Sequence, residues 1–221
     1  MDGNIEITDY RIANRIECLK NITPLFVDVP IDNTYFNDAY NNPGYIWQLN
    51  LRPVDRAYNG QRPLGSLMGG YVQQFKYMYN KSELTLGENL YETYPAASLI
   101  ELGINAKYKK TISVYKENKW TTSIGGICDK LNISPIDNTE LKINDDEIDA
   151  VLCALCGVVD DKYILKGNDL EKHINSRINN SKRYKAPKGY VLLQLAEKKE
   201  WPYTIEIETV DDSPLDDCKD T

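Results

Sequence analysis

Four carboxylates stand on stretches of chain where a carboxylate is costly. Asp28 interrupts the apolar run Leu25-Phe26-Val27-Asp28-Val29, and Glu92 lies between Tyr91 and Tyr94 near the end of a second strand-like segment. Asp146 and Asp149 open the most hydrophobic helical stretch of the chain, and their three-residue spacing puts both on one helix face. A buried carboxylate is tolerated when it is paired, hydrogen-bonded or metal-bound. Ligands of open α/β sheets gather at the carboxyl ends of strands. Two strand-end acids and two helix-start acids therefore form a candidate cage for Mg²⁺ (or Mn²⁺), ions that take oxygen ligands and keep waters and substrate phosphates in their shell. Two such ions can activate a water and stabilise the leaving oxygen of a phosphodiester.

Each acid also has a plainer reading. Asp146 can serve the helix dipole, with Asp149 paired to a Lys or Arg. Asp28, just before Val29-Pro30, can accept backbone hydrogen bonds at a turn. Glu92 can pair with Arg52 or Arg56.

The elements that would carry these acids alternate as in an α/β protein. Alternation of Ile5 and Ile7 predicts a short strand over 3–8, and Ile12, Ile16 and Leu19 mark a helical face over 10–20. Pro24–Pro30 reads as a buried strand closed by proline. Residues 31–63, rich in Asn, Pro, Gly and Tyr, form a long excursion. Leu67, Tyr71, Phe75 and Met78 give a second helical stripe. Asn89–Tyr94 is a strand candidate, and Pro95 suits the first turn of a helix running toward Gly103. The 108–134 region has no clear period, and Gly125-Gly126 argues against a long helix there. Asn144 and Glu147 form a capping-box signature ahead of the apolar body Ala150–Val159. Tyr190–Leu195 and Thr204–Val210 read as late strands. The expected organisation is one domain over 1–210 and a solvated acidic tail over 211–221.

Composition narrows the partners. The 221 residues carry a net charge of −7, with 27% charged and 42% hydrophobic residues, an ordinary globular balance. An acidic total argues against a simple basic-groove binder of nucleic acid, but not against an enzyme that meets phosphates through bound metal. The longest uncharged apolar run, Ala150–Val159, is about half of the roughly 20 residues a membrane helix needs. Residues 1–6 lack the basic start and apolar stretch of a signal peptide. The five cysteines are odd in number and scattered, as free thiols of a reducing cytoplasm would be, so the expectation is a cytoplasmic protein. Cys153-x-x-Cys156 lies inside the apolar helix body and reads as core rather than zinc or redox site. The single His173 sits in a polar stretch and reads as surface. Leu64–Gly70 is glycine-rich but lacks the lysine of a phosphate loop. Tyr35–Tyr45 can stack on bases, a weak signal among sixteen tyrosines.

Five short segments, in this order, resemble a known family. They are Phe26–Pro30, Leu51–Arg56, Tyr91–Leu99, Asp146–Leu155 and Lys188–Leu192. Together they are similar to the predicted RNase H-like nucleases grouped as domain of unknown function number 429, across roughly residues 20–195. The resemblance implies an RNase H-like mixed sheet flanked by helices and metal-dependent hydrolysis of nucleic-acid phosphodiesters. It places Asp28, Glu92, Asp146 and Asp149 at the acidic centre as catalytic and metal-binding residues, with Arg52, Asp55 and Arg56 supporting them. One departure matters: such domains start with a strand carrying Gly-x-Asp, and no convincing equivalent precedes Asp28. The usual N-terminal strand or strands are thus expected to be missing, which would expose a sheet edge for a protein partner or self-association. A catalytically degraded domain acting as a binding or interaction module is the alternative expectation.

Overall fold

The computed structural model of the protein describes residues 4–7, 24–31, 52–59, 83–104, 112–136, 140–178, 184, 186, 188–195 and 200–207. The helical stripes expected over 10–20 and 67–78, the glycine-rich 64–70, the tyrosines of 35–45 and the tail 211–221 lie outside these residues.

The architecture is mixed α/β. In chain order it runs β1 (Asn4–Ile7), β2 (Leu25–Val27), α1 (Pro53–Ala57), β3 (Leu90–Glu92), α2 (Pro95–Glu101), β4 (Ser113–Lys116), β5 (Lys119–Trp120), α3 (Ser123–Lys130), β6 (Ile133–Pro135), β7 (Leu141–Ile143), α4 (Asp145–Val158), β8 (Ile164–Lys166), α5 (Gly167–Arg177), β9 (Val191–Leu193) and β10 (Thr204–Ile207). A 3-10 turn over Asp161–Tyr163 leads into β8. β10 lies between β1 and β6, parallel to both. β4 is flanked by β5 and β7, antiparallel to each. β2 pairs in parallel with β3, placing Val27 opposite Glu92. β8 and β9 form an antiparallel pair, and a parallel bridge from Glu92 to Tyr190 connects that pair to β3.

The strand expected over 3–8 is present and pairs with β10. Pro95 stands at the start of α2 as expected. The uninterpretable stretch before residue 134 resolves into a hairpin, a helix and a strand. α3 runs through both glycines but spans only eight residues, in keeping with the expectation that no long helix forms there. A Cβ on Gly125 would stand 2.5 Å from the Trp120 Cβ, so the glycine lets α3 lie directly on β5, and this packing offsets the helix propensity lost.

α4 is the element around which the others assemble. The Asn144 side chain accepts the Glu147 N–H at 3.0 Å and Glu147 accepts the Asn144 N–H at 2.6 Å, the expected reciprocal cap. Ile148, Val151, Leu152 and Leu155 are all but inaccessible to solvent, each such burial contributing about 1.5–3 kcal/mol. The helix contacts β1, β2, β9 and α2. A Cβ on Gly157 would meet the Phe26 ring at 2.6 Å, so the end of α4 rests on β2, and that ring stacks on Tyr91 of β3 at 4.9 Å.

Candidate functional site

α4 and β2 run in opposite directions. Gly157 lies at Phe26, and the Cys153 thiol, one turn earlier, lies against the backbone of Asp28. Asp149, another turn back, therefore stands beyond the carboxyl end of β2, and Asp146 extends the same helix face outward into solvent. Parallel pairing of β2 with β3 brings Glu92 to this same end. Thus the order Phe26-Val27-Asp28 read against Asp149-x₃-Cys153-x₃-Gly157 puts a strand-end acid and a helix-start acid at the same end of β2.

α1 supplies the cation. Pro53 presets the first turn, and Asp55 at its third position reaches back to the Arg52 backbone N–H at 2.8 Å. The same carboxylate takes the Arg52 Nε–H at 3.0 Å and an Nη2–H at 2.8 Å, a bidentate fork. Nη1 donates to Glu92 Oε1 at 2.5 Å, and Glu92 Oε2 accepts the Ile31 N–H at 2.9 Å. Arg52, Asp55 and Glu92 are all buried. Burial works against the charged guanidinium, yet Tyr190, Glu92 and Asp55 outweigh it and hold the Arg52 pKa well above its ordinary value. The Arg52 guanidinium also lies 5.6 Å from the centre of the Tyr94 ring.

Asp28 keeps exposed surface, while protein atoms crowd its carboxyl closely enough to desolvate it. Burial is the main cause that pushes its pKa from 3.8 up to about 6; Arg52 opposes the rise, and Glu92 and Asp55 add to it. The Tyr94 phenol feels the same charges: burial, Asp55, Asp28 and Asp149 raise it to about 12 against the pull of Arg52. The Cys153 thiol is pushed far up by burial and then by Asp28, Cys156 and Asp149. The Tyr190 hydroxyl is buried with no hydrogen-bond partner among the described residues.

The structure therefore gathers Asp28, Asp149, Glu92, Arg52 and Asp55 at one end of the β2–β3 pair. Arg56 is half-buried on α1, and Asp146 is exposed on the first turn of α4. Glu92 takes the plainer of its two readings, an ion pair with Arg52. In doing so it pins the chain at Ile31, just past Asp28. Among the described residues, no three His, Cys, Asp or Glu side chains form a protein-only metal cage. Magnesium seldom needs one, since it usually takes one or two carboxylates and completes its shell with water and phosphate oxygens. Asp28 and Asp149 have that donor chemistry.

Tyr94 and Tyr190 were not legible as site residues, since tyrosine is common along the chain. Cys153 and Cys156 are buried free thiols, as the apolar setting predicts. His173 lies on α5, its Nε2 2.9 Å from Glu101 and 3.1 Å from the Arg177 Nε. It is half-buried rather than a free surface side chain. No helix among the described residues is long and apolar enough to cross a membrane. No protein-family model, curated protein or solved structure matches the chain.

Proposed function

We propose that this chain is an RNase H-like nuclease that hydrolyses nucleic-acid phosphodiester bonds with Mg²⁺ or Mn²⁺. The observation that carries the reading is that Asp28, from the carboxyl end of a parallel strand, and Asp149, from the start of α4, both act on the Tyr94 phenol and the Cys153 thiol, and so lie at one end of the sheet. Asp28 and Asp149 would hold the metal, with Asp146 at the outer rim of the same helix face. Bound there, the ion would activate a water and stabilise the leaving oxygen. Glu92 is a positioning residue: through Arg52 on one oxygen and the Ile31 N–H on the other, it fixes the turn that follows Asp28. Asp55 holds Arg52 by its fork, and the Arg52 charge keeps Asp28 more readily ionised than burial alone would allow.

The test is cleavage of DNA, RNA and hybrid substrates with and without Mg²⁺ or Mn²⁺, in the wild type and in Asp28→Asn and Asp149→Asn. Metal-dependent cleavage lost in both folded variants is expected. Cleavage that survives in Asp149→Asn, or a folded wild type that cleaves nothing with either metal, removes the proposal.

A second reading is a binding or interaction module with a degraded centre. It is favoured by the engagement of both Glu92 oxygens inside the protein, which leaves fewer acids facing outward. Pairing of β2 on one edge only, among the described residues, leaves a place for a partner strand. This reading expects no rise in melting temperature with millimolar metal. A rise that disappears in Asp149→Asn counts against it.

A further inference from the structure

The β5–β4–β7 sheet has an inner and an outer face. Ser113, Tyr115, Trp120, Leu141 and Ile143 point inward and are buried. Strand alternation then sends Lys116, Lys119 and Lys142 outward, and all three are exposed. Lys116 and Lys119 are direct cross-strand partners, and like charges so placed are destabilising. The register cannot slip to relieve them. The two-residue turn between them, Glu117 and Asn118, has φ of 53° and 59° at its two positions, the tight form that matches the twist of a hairpin. On the inner face the Tyr115 and Trp120 rings lock the same register edge-to-face at 5.1 Å. Among the described residues, Glu117 in the turn and Glu140 beside β7 are acids close in sequence, and neither forms an ion pair with these lysines. Among the described residues, Lys162 pairs with Asp160, Lys166 with Asp161, Lys172 with Asp169 and Lys188 with Glu88.

We infer that this face binds the phosphate backbone of nucleic acid. Charge complementarity chooses the partner: a polyanion relieves the Lys116–Lys119 repulsion, and in a chain of net charge −7 three lysines on one sheet face are a local concentration of positive charge. With its aromatic rings turned inward, the face grips charge rather than stacking on bases, so its binding is independent of sequence. The inference rests on the nucleic-acid substrate proposed above and gives that substrate a holding surface apart from the acids.

The experiment measures binding of a short labelled single-stranded oligonucleotide across a salt series. EDTA is present so that nothing is cut. The proteins are the wild type, the triple variant Lys116→Gln/Lys119→Gln/Lys142→Gln, and the control Lys162→Gln/Lys172→Gln. The triple variant is expected to fold, since it removes a repulsion, and to lower the log–log salt slope by about 2; the control keeps the wild-type slope. An unchanged slope in the triple variant overturns the inference, as does polyglutamate binding as tightly as the oligonucleotide, which would mark an acidic protein as the partner. Lysine-dependent binding without any cleavage supports this face while removing the nuclease reading. Cleavage with lysine-independent binding does the reverse.

Discussion

Replacing Asp28 with Asn should stabilise the protein at neutral pH. The wild-type carboxyl has a folded pKa of about 6 against an ordinary 3.8, so the folded state holds this proton more tightly than the unfolded chain does. Stability from this group is therefore greatest at low pH, falls as pH rises from about 3.8 to about 6, and stays low above that. Full transmission of the difference would amount to about 3 kcal/mol. Asp28 keeps exposed surface, so solvent screens most of this and about 1 kcal/mol is expected. Asn is uncharged throughout, and the variant should melt roughly 2–4 °C higher than wild type at pH 7 for a chain of this size. The difference should vanish near pH 4. Thermal melts of both proteins in metal-free buffer across this range measure it, and taking the difference cancels the other titrating groups. A variant that is less stable at pH 7, or equally stabilised at pH 4 and pH 7, would refute the electrostatic account of Asp28. A gain in stability on removing a charged residue is the signature of a group kept for function.

Arg52→Met should cost about 3–5 kcal/mol in urea unfolding, because it leaves Glu92 and Asp55 buried without their cation; Arg52→Lys should recover only part of this, since a lysine cannot fork onto Asp55 while reaching Glu92. Asn144→Ala should cost about 1 kcal/mol by removing the cap of α4, and a loss below the error of a denaturant titration would mean that the cap contributes nothing. Cys153 and Cys156 should resist thiol reagents in the native protein at pH 8 and react fully in denaturant, because burial pushes the Cys156 pKa to about 12 and that of Cys153 far above its ordinary value. Peptide mapping after brief labelling reads each site, and rapid native modification of either would contradict the packing of α4 on β2.

Strands β1, β2, β3, β9 and β10 and helices α2 and α4 were legible because each carries strong local punctuation: alternation at Ile5 and Ile7, Pro30 after β2, Pro95 at the start of α2, Asn144 and Glu147 at the cap of α4. The β4–β5 hairpin was not, because its turn places Glu117 and Asn118 in the left-handed region without any glycine to announce it. α3 was hidden by Gly125, whose purpose is visible only once Trp120 lies against it. α5 was hidden by polarity; only Leu170 and Ile174 are buried along it. Of the site, the types of acid and the Arg52–Glu92 pairing were accessible in advance. What chain order could not reveal is that the antiparallel run of α4 against β2 sets Asp149 at the same end of the strand as Asp28, or that the arginine would engage both Asp55 and Glu92 in one brace.

That brace has an evolutionary consequence. Arg52, Asp55 and Glu92 come from two separate parts of the chain, yet losing any one leaves the others charged in the interior. Single substitutions at the three positions should therefore be selected against whether or not the acids have any catalytic use, whereas a joint replacement by apolar residues of similar volume would be tolerated. The trio is inherited as a block. Persistence of Arg52-Pro53-x-Asp55 together with Glu92 in a related chain would then attest to a shared interior, and by itself would say nothing about the chemistry proposed for Asp28 and Asp149.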